Sequence, residues 1–349
     1  MRLLDHIAQH ARPFLVQQND GRVLRLPGAA EYAGRIKHCP LRYVLSDDLT
    51  QTCTALAYSE GVRLADCLDL VHVPATDWWL EWNDLPRAAE FARALELAPP
   101  VAGDYGVLRT GVYVSASPDG RRGVMRSFWT AREQPDEPLL APLETHFDLD
   151  ACATEGGTLE AVLQGACTSI PIEADPGISE VLRRARYRFD GAWLRYYQSE
   201  ASTDALRREV LHKSLAAVVT NFPVVIALLL LMTVRGGLPQ RPADIARLNA
   251  KRMRLGRSPL LEHVELCSPV VPERSVTSAA GATGLRRAAR FHHVRGHLVR
   301  RHNAIFWRTP HWRGHLRMGQ VRTRTVTLTS GTQAPLGAGY KGRAGIAIC

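Results

Sequence analysis

The sequence predicts an α+β protein: a mixed body of helices and antiparallel sheet around a buried apolar helix, then a small basic β-rich module at the C-terminus. Three observations predict it. Runs with helical spacing alternate with short strand-like runs, a Pro-Asp-Gly turn joins two such runs, and the acidic residues stop at Glu273.

Residues 1–38 read as helical or mixed. Asp47 and Asp48 are suited to start a helix that carries Leu49, Cys53, Leu56 and Ala57 on one face. The segment LVHVPATDWWLEW has strand character, with Val71, Val73, Trp78, Leu80 and Trp82 apolar and Pro74 marking a turn or edge. Residues 107–115 and 123–130 form a hairpin around Ser117-Pro-Asp-Gly120. The Pro- and Gly-rich stretch 132–176 gives no clear element.

A helix is predicted over 178–197, because Ile178, Val181, Leu182, Ala185, Phe189, Ala192, Trp193 and Tyr196 follow a 3.6-residue period. Another helix starts at Thr203 and Asp204 and runs into the uncharged segment 215–234, which Gly236 and Gly237 stop. That segment is long enough to span a bilayer. Thr220, Asn221 and Pro223 interrupt it, however, and favour a helix buried in a protein core. A short basic helix and then a strand follow in ADIARLNAKRMRLGRSPLLEHVEL.

Small residues make 274–285 a flexible linker between the body, 1–273, and a basic module, 286–330; residues 331–349 read as a flexible tail. The formal charge of +10 is concentrated in that C-terminal part. Of 44 Lys and Arg, 14 lie in residues 274–349, which hold no Asp or Glu; the other 30 share the body with 34 acids. Thirteen of the 14 are Arg, whose planar fork suits phosphate better than the point charge of Lys. A polyanion, RNA in preference to DNA, is the expected partner.

The seven cysteines are scattered and form no CxxC pair, so neither a cysteine zinc site nor a disulfide framework is indicated. A reducing cytoplasm is the expected compartment. The charged and histidine-bearing start MRLLDHIAQH leads us to expect no export signal. Walker, GxSxG and dinucleotide glycine patterns do not occur, so no cofactor is expected. Asp66, Asp69, Asp77, Glu81 and Asp84 cluster around the Trp-rich strand, where a solubilising surface role is expected over carboxylate catalysis.

Inside the basic module His293-Val-Arg-Gly-His297-Leu recurs as His311-Trp-Arg-Gly-His315-Leu. Gly296 and Gly314 oppose long helices, and 305–309 and 321–330 have strand character. Three readings stay open. In the first, Arg295, Arg300, Arg301, Arg313, Arg317, Arg322 and Arg324 pair with phosphate while Trp307 and Trp312 stack on bases. In the second, His293, His297, His311 and His315 hold a metal, against the repulsion of the flanking Arg. In the third, these histidines orient the module as a structural knuckle. A metal-dependent nuclease would need a carboxylate from the body, and a phage structural protein could use the same charge to neutralise DNA.

The HWRGH run before a basic strand resembles the ending of a family of phage and mobile-element proteins. Segment 248–262 (LNAKRMRLGRSPLLE), the aromatic strand 78–82 and the strand-turn-strand 111–129 ending in Phe128-Trp129 are similar to further family motifs in the same order. The resemblance spans about residues 70–330. The family includes the large type V-A anti-CRISPR protein, an inhibitor of CRISPR effector nuclease production. The resemblance therefore implies a non-enzymatic counter-defence protein whose partners include a nascent effector polypeptide or the ribosome. Thr309 and the single Arg313 depart from the family's more basic pattern, and the first copy of the repeat is an addition to it.

Overall fold

A computed structural model describes residues 1–268 apart from 19–20, 59–63, 95, 102–104, 153–156, 171–179, 201–203 and 235–237, and five short strands between 290 and 320. The chain divides into two units, residues 1–269 and a second unit that contains those five strands. The predicted linker 274–285, strand 321–330 and tail 331–349 lie outside the described residues.

The first unit is an α+β domain built on one eight-stranded mixed sheet. Five strands run as an antiparallel meander: β4 (Asp77–Asn83), β5 (Val107–Ala116), β6 (Arg122–Ala131), β7 (Pro138–Asp148) and β8 (Ala185–Phe189). On the other side of β4 the sheet turns parallel through β3 (Leu41–Leu45) and β10 (Val264–Leu266), and β9 (Gln240–Pro242) closes it antiparallel. A separate hairpin, β1 (Phe14–Gln17) with β2 (Val23–Leu26), lies between the first two helices in sequence.

Alternation along β4 gives the sheet two faces. Trp78, Leu80 and Trp82 point one way, Trp79 and Glu81 the other, and all five are fully buried. Helices α1 (Leu3–His10) and α2 (Ala33–His38), with a 3-10 turn at Ala29–Tyr32, cover the Glu81 face. On the Trp78 face lie α3 (Asp47–Tyr58), α4 (Asp84–Ala94) and α8 (Asn221–Met232), the last through Phe222 against Phe147 and Asn221 Nδ2 donating to Ser127 Oγ at 3.1 Å.

The hairpin forms as predicted. Gly120 has φ +68°, and a Cβ there would meet the Val73 carbonyl at 2.6 Å, so only glycine closes this turn. Strand β7 was not expected, because Pro138 and Pro142 argue against it. The register explains Pro142: Arg126 pairs Glu144 and Phe128 pairs Leu140, so extra residues on β7 bulge at Ala141–Leu143, while Pro138 is the first residue of the strand. A proline is tolerated where the ladder is already broken.

Two helix predictions are corrected. Beyond the short helix α5 (Leu159–Leu163), residues 185–189 form a strand, and the helix that follows, α6 (Gly191–Glu200), starts after Asp190. Ala185, Tyr187 and Phe189 are buried while Arg186 and Arg188 are exposed. Residues four apart share a face in both geometries; the period-2 signal was Tyr187, 1% exposed, which the helical stripe left out. Segment 215–234 is likewise two elements, α7 (Asp204–Val219) and α8. Pro223 lacks an N–H and would clash with the Val219 carbonyl, so the first helix ends at Val219 and Pro223 falls in the opening turn of the next. Residues 221–231 are then buried on every side, as a central core helix requires. Among the described residues no helix is long and apolar enough to cross a membrane.

The second unit contains β11 (Arg290–Val294), β12 (His297–Arg301), β13 (Ala304–Arg308), β14 (His311–Arg313) and β15 (His315–Gln320). β12 and β13 form an antiparallel hairpin, and β11 lies between β14, antiparallel, and β15, parallel with a register shift.

Candidate functional site

The register of the second unit brings the first residues of the two copies of the repeat, His293-Val294 and His311–Arg313, onto paired strands. His293 is opposite Trp312 and Val294 is opposite His311. Directly opposed positions share a face and successive ones alternate, so positions 293 and 311 fall on opposite faces of the pair. In the hairpin, His297 pairs Arg308, Leu298 pairs Trp307 and Arg300 pairs Ile305. Positions 300 and 307 therefore share one face, while 297 and 301 lie on the other. His315 and Arg317 are on β15 and Arg313 ends β14. Arg295, Arg322 and Arg324 lie outside the described residues.

In the body the structure brings together polar residues that composition did not reveal. Glu81 and Asp84, expected on the surface, are both fully buried, whereas Asp66 and Asp69 are exposed as expected. Glu81 accepts hydrogen bonds from the Leu3 and Leu4 amides, each at 2.9 Å, from Trp79 Nε1 at 3.3 Å and from Arg109 Nε. A strand carboxylate thus supplies the N-terminal acceptors that α1 lacks from its own cap residue, Arg2.

Asp84 receives a bidentate pair from Arg87, at 2.7 and 2.9 Å, with Thr110 Oγ1 at 2.8 Å, Trp82 Nε1 at 3.2 Å and the Tyr105 hydroxyl. Burial alone would raise its pKa; the charge and hydrogen bonds of Arg87, with those of Tyr105 and Thr110, outweigh it and hold Asp84 ionised. Arg87 also donates to Thr220 Oγ1 at 3.1 Å, and Tyr58 donates to the Thr220 carbonyl, which ties both helices to the break between α7 and α8. These groups have every partner they need, and their role is structural.

A third network joins β6, β7 and β8. Arg126 contacts Glu144 at 3.2 Å, Asp190 at 3.1 Å and the Tyr32 hydroxyl at 2.7 Å. Glu144 also accepts from Arg188 at 2.7 Å and contacts His146 at 2.8 Å. Burial works to raise the pKa of Glu144, but His146, Arg126 and Arg188 lower it to about 2.

The segment 248–262 that carries part of the family resemblance also has a structural account. Asn249 on α9 (Ala246–Arg254) donates to the Leu260 carbonyl at 3.0 Å and accepts from its amide at 2.7 Å. Arg252 donates to Ser258 O at 2.8 Å and to Gln9 Oε1 at 3.0 Å, and the Leu261 amide donates to Asp5 Oδ1 at 2.8 Å. The loop is thereby closed and held against α1. Lys251, Arg254 and Arg257 remain exposed.

Between α1, the start of β1, the β6–β7 loop and this segment lies an open cleft of about 1300 Å³. His6, Arg12, Arg109, Arg252 and Arg257 line it together with Asp136 and Glu137. Sequence reasoning missed it, because its residues are dispersed over 250 positions and no local pattern joins them. No group of three or more metal-ligating side chains occurs among the described residues. No family model, curated protein or solved structure matches the chain.

Proposed function

We propose that the chain is a non-enzymatic counter-defence protein of a phage or mobile element. It acts in the cytoplasm of a bacterial host, binds RNA through the C-terminal module and lowers production of a CRISPR effector nuclease. The observation that carries the nucleic-acid part is the charge distribution: 14 cations and no carboxylate in the last 76 residues. Phosphate contacts by Arg are sequence-independent and salt-sensitive, which suits a module that must find a messenger or a translating ribosome. The pairing of β12 with β13 supports it, since Arg300 and Trp307 share a face, as a phosphate contact beside a stacking base requires. The counter-defence part rests on the order of motifs in the sequence.

Co-expression with a CRISPR effector nuclease tests the proposal. The effector polypeptide falls when the chain is present and recovers with Arg300→Gln, Arg301→Gln and Arg313→Gln combined, while pre-assembled effector cleaves DNA at an undiminished rate. Effector levels that are the same with and without the chain would contradict the counter-defence reading.

A further inference from the structure

The cleft in the first unit has features that the fold does not use. His6 is 7% exposed, and its Nδ1 is buried without a hydrogen-bond partner; the nearest acid, Asp136 Oδ1, is 3.6 Å away and 85% exposed. A buried polar atom left unpaired is unfavourable, so a partner supplied from the cleft would be favourable. Arg109 presents a similar case: Nε is engaged by Glu81, while Nη2 is buried and unpartnered. Arg12 and Arg257 are exposed on the same cleft, and neither side chain has an ion pair or hydrogen bond among the described residues. Fold stability explains none of these four.

Their chemistry selects a ligand. Two exposed guanidinium groups that line the same cleft as an imidazole and a part-buried third guanidinium form a donor set suited to phosphate oxygens. Phe14, Leu15, Leu108 and Leu139 add an apolar wall to the same cleft, with Leu15 61% exposed. Asp136 and Glu137 supply acceptors that a bare phosphate would not use but that hydroxyl or amino groups would.

We propose that this cleft binds a nucleotide. The phosphate meets Arg12, Arg257 and Arg109 with His6 beneath it, the base lies against Phe14 and Leu15, and Asp136 and Glu137 accept from the sugar hydroxyls or the base amine. The site is built from residues of the first unit and goes beyond the function proposed above. Burial, His10 and the chain's amino group lower the pKa of His6, against Asp136 and Glu81, so the ring is neutral before the ligand arrives. An approaching phosphate favours its protonation.

The test is heteronuclear NMR of the histidine rings in the full chain, with His6 assigned through His6→Gln. Adenosine 5′-monophosphate shifts the His6 ring signals saturably, and Arg12→Glu with Arg257→Glu weakens that response by about tenfold or more. Both arginines are exposed and unpaired, so the double variant keeps the fold. Arg300→Gln with Arg313→Gln in the basic module leaves the His6 response intact, which separates this site from the RNA reading. Unmoved His6 signals at millimolar nucleotide, an equal response to adenosine or to inorganic phosphate, or an unaffected Arg12/Arg257 double variant would each overturn the proposal.

Discussion

The Glu81 carboxylate, fully buried at the centre of the sheet, pairs with Arg109 on the neighbouring strand and accepts the first two amides of helix α1. One side chain therefore joins two strands and the helix that covers them. Glu81→Gln keeps the shape but turns an N–H toward the donors and leaves Arg109 uncompensated. Removing one partner of a buried pair costs roughly 3–5 kcal/mol. Urea denaturation of the variant checks this, and a change below about 1 kcal/mol would show that the helix is held by its apolar face alone.

Acid sensitivity follows from Glu144, whose folded pKa of about 2 lies below its ordinary value of 4.5. A depressed carboxylate contributes stability above its unfolded pKa and loses it as pH falls toward the folded one. The contribution is complete above pH 4.5 and is lost between there and about 2. Thermal unfolding should show a steeper fall in Tm over this window for the native chain than for Glu144→Gln. Parallel curves would contradict the network.

Gly111 stands opposite Glu81, and a Cβ on it would lie 2.3 Å from the Trp79 ring. Trp79 is fully buried and lies tilted against Phe128 with ring centres 5.4 Å apart, so it has little room to move. Gly111→Ala should lose about 1–3 kcal/mol through overpacking, read by chemical denaturation.

Asn249 holds both the amide and the carbonyl of Leu260. Asn249→Ala should speed hydrogen exchange at the Leu260 amide and cost about 1–3 kcal/mol for the backbone groups left unpaired. Unchanged exchange would mean that the loop is closed by Arg252 instead.

Local patterns were the legible part of this molecule. The Pro-Asp-Gly hairpin, the helix after Asp47 and the strand through Trp78–Trp82 each carry their signal within a dozen residues, and all formed where the sequence placed them. What escaped depends on distant partners. Glu81 reads as a surface acid until Arg109 and the α1 amides are brought to it, and β7 reads as irregular until Pro142 is placed in a bulge against β6 and Pro138 at the start of the strand. Segment 178–197 failed because residues 181, 185 and 189 satisfy helix and strand spacing alike. The cleft was illegible for the same reason as Glu81: His6, Arg109 and Arg257 meet only in the folded chain.

The central claim is that the acid-free C-terminal module binds a polyanion. Fluorescence anisotropy of labelled RNA and DNA with the full chain, across a salt series, tests it most directly. It should be run beside Arg300→Gln, Arg301→Gln, Arg313→Gln and Arg317→Gln combined. The account predicts binding that weakens steeply with salt, favours RNA and has a shallower salt slope in the variant. Binding that is absent in the native chain, or equally tight and equally salt-sensitive in the variant, would contradict it and leave the repeat a structural knuckle.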